Sequence, residues 1–540
     1  MAVSPVRPPE IWNATEREER STRWRGKAGL VVVVLGVLVA VLATLCSLYW
    51  PFRQDKIIRR LEDAGDSRVL VRAFHQNYFP HPGCVLEGLA FVRGSDSAHP
   101  VITIQRLTIE GSYLGMLAHH VSRMIAEGMR VSIPAVDNGQ GFHSKPSNVT
   151  IGEIVAKNAV LEFARAGGKE PLRFDVHEIT LRDVSWSGPF RYSVKMRNPT
   201  PPGEIIASGE FGVWNDANPG ETPVSGEYKF DTADLSIYGG IAGTLSSTGK
   251  FAGKLKHIDI QGKTDAPDFE VEHSGHKVDL RTDFNAHVDG TNGDTFLKRV
   301  DAYFRQTHLV AEGNVAKASG HGRKVAQINV SSSDGRIEDL LWLFLSDNRP
   351  AMSGVLDMQA KVEIPPGPRP FLEKVTLDGQ FGVVQGQFPN PRTQQQVDKL
   401  SAGARGDKKE DVETVLTGLA GQVALSDGVA HFSDLTFGVP GAAARLRGTY
   451  SLLNHRIDLR GQMKVDTAVA NTTTGIKSLL MKVMSPFFKK RKRGGQILPV
   501  KIAGTFEKPT FGLDLEDERA EKVPPPRTRG IQGYERTVPQ

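Results

Sequence analysis

From Asn148 onward, long stretches of this chain alternate apolar and polar side chains with a period of two, which suits a strand and not a helix. In VDLRTDFNAHV the residues Val278, Leu280, Thr282, Phe284, Ala286 and Val288 share one face, while Asp279, Arg281, Asp283, Asn285 and His287 share the other. The pattern returns where Gly354, Leu356, Met358, Ala360, Val362 and Ile364 alternate with mainly polar residues, and again at Ile457, Leu459, Met463 and Val465. Each such strand is dry on one side and wet on the other, as in antiparallel sheets with one solvated face. The fold class is therefore read as mainly β.

A second constraint is the run AGLVVVVLGVLVAVLATLCSLYW, which fills Ala28 to Trp50 with 23 residues and no charge. As a helix rising about 1.5 Å per residue it spans roughly 34 Å, enough for a hydrocarbon core of roughly 30 Å. A cleaved signal peptide has an apolar region of only about 7 to 15 residues. A lipoprotein signal would need a small residue where Leu45 precedes Cys46. One retained N-terminal transmembrane helix is expected. Arg23, Arg25 and Lys27 precede the run and Arg53, Lys56, Arg59 and Arg60 follow it, so flanking charge leaves the orientation open. A cytoplasmic N-terminus is expected, because a long following domain translocates largely regardless of its charges.

Lys and Arg (67) nearly balance Asp and Glu (61) and are mixed along the 540 residues, so the net charge of +6 forms no dense patch for nucleic acid. The two cysteines are Cys46, inside the apolar run, and Cys84, and no disulfide is expected between them. Pattern and composition divide the chain into a cytoplasmic tail (1–27), the transmembrane helix (28–50) and an N-terminal α/β cap next to the membrane (51–135). A β-sheet body (136–390), a polar linker (391–413), a C-terminal β module with an amphipathic helix (414–515) and a disordered tail (516–540) follow. Within the cap, Leu114, Leu117, Val121, Met124 and Ile125 fall at helical spacing and predict a helix from Ser112 to Glu127. RIEDLLWLFL, after Asp334, predicts another short helix.

No local signature of catalysis is present: there is no GxSxG elbow, Walker loop, HExxH helix or paired CxxC. Neither the adjacent His119 and His120 nor His273 and His276, in a turn, is read as a metal site. The chain is not read as an enzyme, and no catalytic residue, cofactor or metal is expected. The stretch GIKSLLMKVMSPFFKKRKRGG carries an apolar helical stripe (Ile476, Leu479, Leu480, Val483, Met484, Phe487) that runs into Lys489, Lys490, Arg491, Lys492 and Arg493. Two readings stay open for it. One is a helix covering part of the sheet, with its cations favoured by the helix dipole; the other is contact with anionic lipid, at about 1 kcal/mol per basic residue.

LTGLAGQVALSDGVAHFSDLTFGVPGAAARLRGTYSLLNHRIDLRGQMKV, that amphipathic stretch and LPVKIAGTFEKPTFGLDL together resemble the C-terminal region of AsmA-like proteins, through the VPGA, GTY and P-x-FGLDL elements. GKFAGKLKHIDIQGKTDAPDFEVEHSGHKVDLRTDFNAHVDGTNGDTFL resembles the β-rich middle of that family, so the resemblance runs roughly from Phe79 to Leu515. It implies an inner-membrane anchor, a body in the periplasm, and a role in phospholipid transport and outer-membrane biogenesis. It also implies a fold similar to bridge-like lipid transfer proteins: an elongated, curled antiparallel sheet, a groove or incomplete roll with a few short amphipathic helices, whose concave face is apolar. On that reading Val278, Leu280, Phe284, Leu356, Met358, Val362, Ile457, Leu459 and Met463 are candidates to line a lipid groove. The expected partners are phospholipids, the inner membrane and outer-membrane or envelope assembly proteins, with no nucleic acid. Two alternatives remain beside it: the dry faces as an ordinary packed β core, and the protein as a non-enzymatic scaffold for outer-membrane assembly factors.

Overall fold

The structure, a computed structural model, describes residues 50–65, 67–92, 100–133, 149–163, 171–185, 187–215, 218–272, 274–317, 324–346, 349–367, 369–405, 416–465, 496–505 and 508–513. The apolar run up to residue 49, the helical stripe and cationic run at 476–493, and both tails lie outside the described residues. Among the described residues no helix is long and apolar enough to cross a membrane. All described strands belong to one sheet of 26 strands, so the chain is mainly β, as its two-residue period predicts.

The N-terminal part opens with helix α1 (Gln54–Gly65), whose Ile57, Ile58 and Leu61 join Trp50 and Phe52 in a core with Leu86, Leu89, Leu107 and Ile109. Strands β1 (Arg68–Leu70) and β2 (Ala73–Asn77) both pair with β3 (Gly83–Val92), and β3 pairs with β4 (Ile102–Gly111). A short helix α2 (Tyr113–Leu117) follows, its first turn capped by Ser112, whose hydroxyl accepts from the Gly115 N–H at 3.0 Å. Here the predicted helix from Ser112 to Glu127 is corrected: it stops after one turn, and His120–Glu127 is strand β5. His119 sits at φ 54, outside helical geometry, and β5 pairs with a neighbour on each side, so tertiary pairing overrides an accidental helical spacing. Strands β5 and β6 (Arg130–Ile133) run parallel to β7 (Thr150–Phe163), and this joint splices the cap into the body.

The body is an antiparallel meander. Its first part comprises β8 (Leu172–Val184), β9 (Phe190–Pro199), β10 (Pro202–Phe211), β11 (Pro223–Asp234), the short β12 (Ile241–Ala242), β13 (Thr244–Lys254) and β14 (His257–Val271). Then come β15 (Lys277–Val288), β16 (Thr295–Phe304), β17 (Thr307–Lys317), β18 (Lys324–Arg336), helix α3 (Ile337–Phe344), β19 (Ser353–Ile364), helix α4 (Phe371–Lys374) and β20 (Thr376–Gln387). Helix α5 (Pro391–Arg405) leads to β21 (Thr417–Ser426), β22 (Val429–Val439), β23 (Ala442–Ser451), β24 (Arg456–Val465), β25 (Gln496–Thr505) and β26 (Lys508–Leu513). Asp427 and Gly428, at φ 48 and 73, supply the two left-handed positions of the tight β21–β22 turn.

Register shifts interrupt many of the ladders, with Thr232, Asp334 and Gln385 at positive φ beside three of them. Each such bulge adds local twist. Segments far apart in the chain also meet. The Lys374 ammonium donates to the Tyr238 carbonyl at 2.9 Å, and the Ser346 hydroxyl shares a 3.4 Å hydrogen bond with His455 Nε2.

The first part of the polar linker segment, read from sequence as half helix and half loop, is α5, and α5 is docked on the sheet. Val397 is buried among Leu435, Val439, Ala442 and Met463, and the buried Ser401 hydroxyl donates to the Pro440 carbonyl at 2.7 Å. Polar composition hid this, because a narrow stripe of Val397, Leu400, Ser401 and Ala402 suffices to seat a helix.

Candidate functional site

Cross-strand partners followed from β7 trace a single line over the sheet: Ala156, Ile179, Val194, Ala207, Tyr228, Gly249, Gly262, Phe284 and Val300. It continues through Ala311, Val330, Ala360, Gly379, Val423, Phe432, Gly448, Leu459 and Ile502. No member is charged. One residue along, on the opposite face, the corresponding line reads Lys157, Glu178, Lys195, Ile206, Lys229, Thr248, Lys263, Asp283 and Asp301. The alternation seen in single strands is thus in register across the whole body, so the apolar face is one continuous strip perpendicular to the strands.

Glycines shape that strip. Tyr228 lies across Gly249, Phe251 across Gly226 and Phe284 across Gly262, each pair being direct register partners. A Cβ on Gly262 would stand 2.8 Å from the Phe284 ring, and one on Gly249 2.8 Å from the Tyr228 ring. The rings occupy the space the missing side chains leave, a known way to stabilise glycine within a sheet. The Tyr228 hydroxyl shares a 3.1 Å hydrogen bond with Ser247, and the Tyr192 hydroxyl donates to the Ser225 carbonyl at 3.3 Å. Burial pushes the Tyr192 phenol up to about 12, so it stays neutral on the apolar side.

Three helices cover part of the strip. At one end of β14 to β17, Leu343 of α3 and Leu372 of α4 pack with Val271, Val278 and Phe304. Leu340 and Leu341 of α3 pack with Met352, Leu356 and Val383, and α5 covers β22 to β25. Asp339 pins α3 in place: 2% exposed, it accepts from Arg305 Nε at 2.8 Å, the Gln306 N–H at 2.9 Å and the Thr307 hydroxyl at 2.9 Å. The Arg305 guanidinium also stands 5.1 Å from the Trp342 ring, and His276 stacks on that ring at 3.8 Å.

The nine groove candidates divide accordingly. Val278, Leu356 and Met463 are buried in these helix-covered clusters, and Leu280, Met358 and Leu459 are half-buried at their margins. Phe284, Val362 and Ile457 are half-buried and belong to none of the clusters. Between β10 and β18, Ile205, Tyr228, Ile260, Val300 and Val330 have the same half-open status. The cationic candidates Lys489, Lys490, Arg491, Lys492 and Arg493 lie outside the described residues. The single-strand pattern marked the dry face but gave no sign of what would cover it; the one available signal was the apolar helix RIEDLLWLFL, which must bury both its sides.

The opposite face is charged, and two shallow hollows, of about 670 and 660 Å3, lie along the same strands. The first is flanked by Glu312, Asn329, Gln359, Lys361, Asp378 and Gln380, the second by Glu227, Lys229, Lys250, Lys263, Asp283 and Asn285. Their linings also include members of the charge-free line: Val330, Ala360 and Gly379 in the first, and Ala207, Tyr228, Gly249, Gly262 and Phe284 in the second. Ion pairs run across this face: Lys263 to Asp283 at 2.8 Å, Lys298 to Asp259 at 2.6 Å and Arg299 to Asp301 at 2.7 Å. Hydrogen bonding from Arg299, against the opposing effect of burial and helped by His308, holds the Asp301 carboxyl below its usual range. Exposed pairs of this kind contribute little stability each, and their consequence is a face that stays wet.

Among the described residues no group of His, Cys, Asp and Glu is arranged to hold a metal. Cys84 is buried, and burial pushes its thiol up to about 12, far from a reactive thiolate. The arrangement offers an extended apolar surface. Comparison with known protein families, with curated proteins and with solved structures finds no match to this chain.

Proposed function

We propose that the half-open apolar strip shields phospholipid acyl chains, and that the protein works as an inner-membrane-anchored, periplasmic lipid carrier supporting outer-membrane biogenesis. The observation that carries this reading is the charge-free line from Ala156 to Ile502, which offers an apolar path along the sheet rather than isolated pockets. Each methylene kept out of water is worth about 0.8 kcal/mol, so an acyl chain leaves a bilayer only if a comparable surface receives it. The resemblance of 414–515 to the AsmA-like C-terminal region and the apolar run at 28–50 support the same reading.

Photocrosslinking in membranes tests it. A benzophenone side chain at Phe284, on the half-open strip, is expected to capture phospholipid, whereas one at Leu356, under α3, captures only protein. Protein adducts alone at both positions would overturn the proposal. A scaffold for assembly factors is the second reading, favoured by the helices that fill part of the strip. It predicts no lipid adduct anywhere on the sheet.

A further inference from the structure

A turn and the start of α2, at one end of the cap, carry the most exposed apolar side chains among its described residues. Phe79 and Leu114 keep 85% and 82% of their surface in solvent, and Tyr78 and Tyr113 keep 53% and 51%. These residues are braced together. The Tyr113 hydroxyl donates to the Tyr78 carbonyl, the Tyr78 ring stands 4.9 Å from the Trp50 ring, and the Gly111 N–H donates to the Pro82 carbonyl at 2.8 Å. Gly111 is needed for this approach, since a Cβ there would stand 2.7 Å from the Phe52 ring. Single exposed apolar residues are ordinary, but four on a turn and a cross-braced short helix form a patch.

The position of the patch identifies its occupant. Trp50, the last residue of the apolar run, is buried against it. Asn77 pairs with Gly83 at this end of β3, while Arg68, which follows α1, pairs with Val92 at the other end. The point where the apolar run meets the fold and the patch therefore share one end of the cap. Arg53, Lys56, Arg59 and Arg60 follow directly, giving aromatic rings and cations the order found at a bilayer interface.

We propose that Tyr78, Phe79, Tyr113 and Leu114 form a wedge that inserts into the headgroup boundary of the same bilayer that holds residues 28–50. The inference rests on the reading of 28–50 as a membrane-spanning segment. A single tether leaves the body free to swivel, whereas a tether and a wedge on one end of the cap fix the near end of the sheet against the lipid surface.

The test uses the full chain, with Cys46 changed to Ala, in vesicles of phosphatidylcholine and phosphatidylglycerol. An environment-sensitive fluorophore is placed on Phe79→Cys, Leu114→Cys or, as a distant exposed control, Ile237→Cys. Labels at 79 and 114 are expected to emit at shorter wavelength, to be quenched severalfold more strongly by headgroup-region nitroxide lipids than the label at 237, and to be shielded from aqueous iodide. Iodide quenching at 79 and 114 equal to that at 237 would overturn the wedge. An alkaline carbonate wash, applied after the fluorescence is read, reports separately on the anchor. Retained protein with water-exposed labels refutes the wedge alone, and released protein refutes the anchor on which the wedge rests.

Discussion

At β14 a single hydrogen in place of a side chain decides how flat the apolar face is. Valine is the better strand former, by up to about 1 kcal/mol, so propensity alone would favour Gly262→Val. Space reverses that sign: the new Cβ would stand 2.7 Å from the Thr248 carbonyl oxygen and 2.8 Å from the Phe284 ring. The first neighbour is backbone and cannot yield, so the substitution is expected to cost about 1–3 kcal/mol. Gly382→Val supplies the contrast, because nothing lies within 4 Å of a Cβ placed there. Urea unfolding monitored through the sheet should show a lower midpoint for the first variant and an unchanged or higher one for the second. Equal midpoints would mean that the aromatic rings do not depend on the glycines beneath them.

At the scale of elements, the strands were legible and their coverings were not. The period of two over Val278 to Val288 specifies β15 and its dry face without reference to anything else, because the side-chain direction is a local property of a strand. What lies on that face is a property of chain segments far away: Leu343 and Leu372, which pack with Val278, are more than sixty residues from it in the sequence. The same distance explains α5, whose seat on β22 to β25 leaves only a thin apolar stripe in a polar sequence. Asp339, inside the first turn, ties the helix to the β16–β17 turn, whereas the residue at its N-terminal cap is Arg336. Asp339→Ala removes a charged acceptor from three donors and is expected to cost about 2–3 kcal/mol. Hydrogen exchange should show α3 losing protection first while the β15–β16 ladder keeps its own; uniform loss along the sheet would show that Asp339 supports the strands and not the helix.

Over the whole molecule, the decisive property is continuity. A pocket loses only what its own lining loses, but a strip that guides a chain along its length fails at its weakest point. Val300 suits a test of this, because it lies on the charge-free line between Phe284 and Ala311, is half-buried, and belongs to none of the helix-covered clusters. A carboxylate there faces an apolar surface that is still open enough to hydrate it, so Val300→Asp is expected to leave the strands paired. Ala360 lies on the same line but is 8% exposed, and Ala360→Asp should instead destabilise the sheet through an unpaired buried charge. The comparison to make is envelope lipid transfer, or growth that depends on it, against hydrogen-exchange protection of β16 to β19 in both variants. If the strip conducts acyl chains, Val300→Asp abolishes transfer with protection intact, and Val300→Leu restores it. If the protein is a scaffold, Val300→Asp works as well as the parent chain, because a partner docked on the charged face has no contact with this side of the sheet.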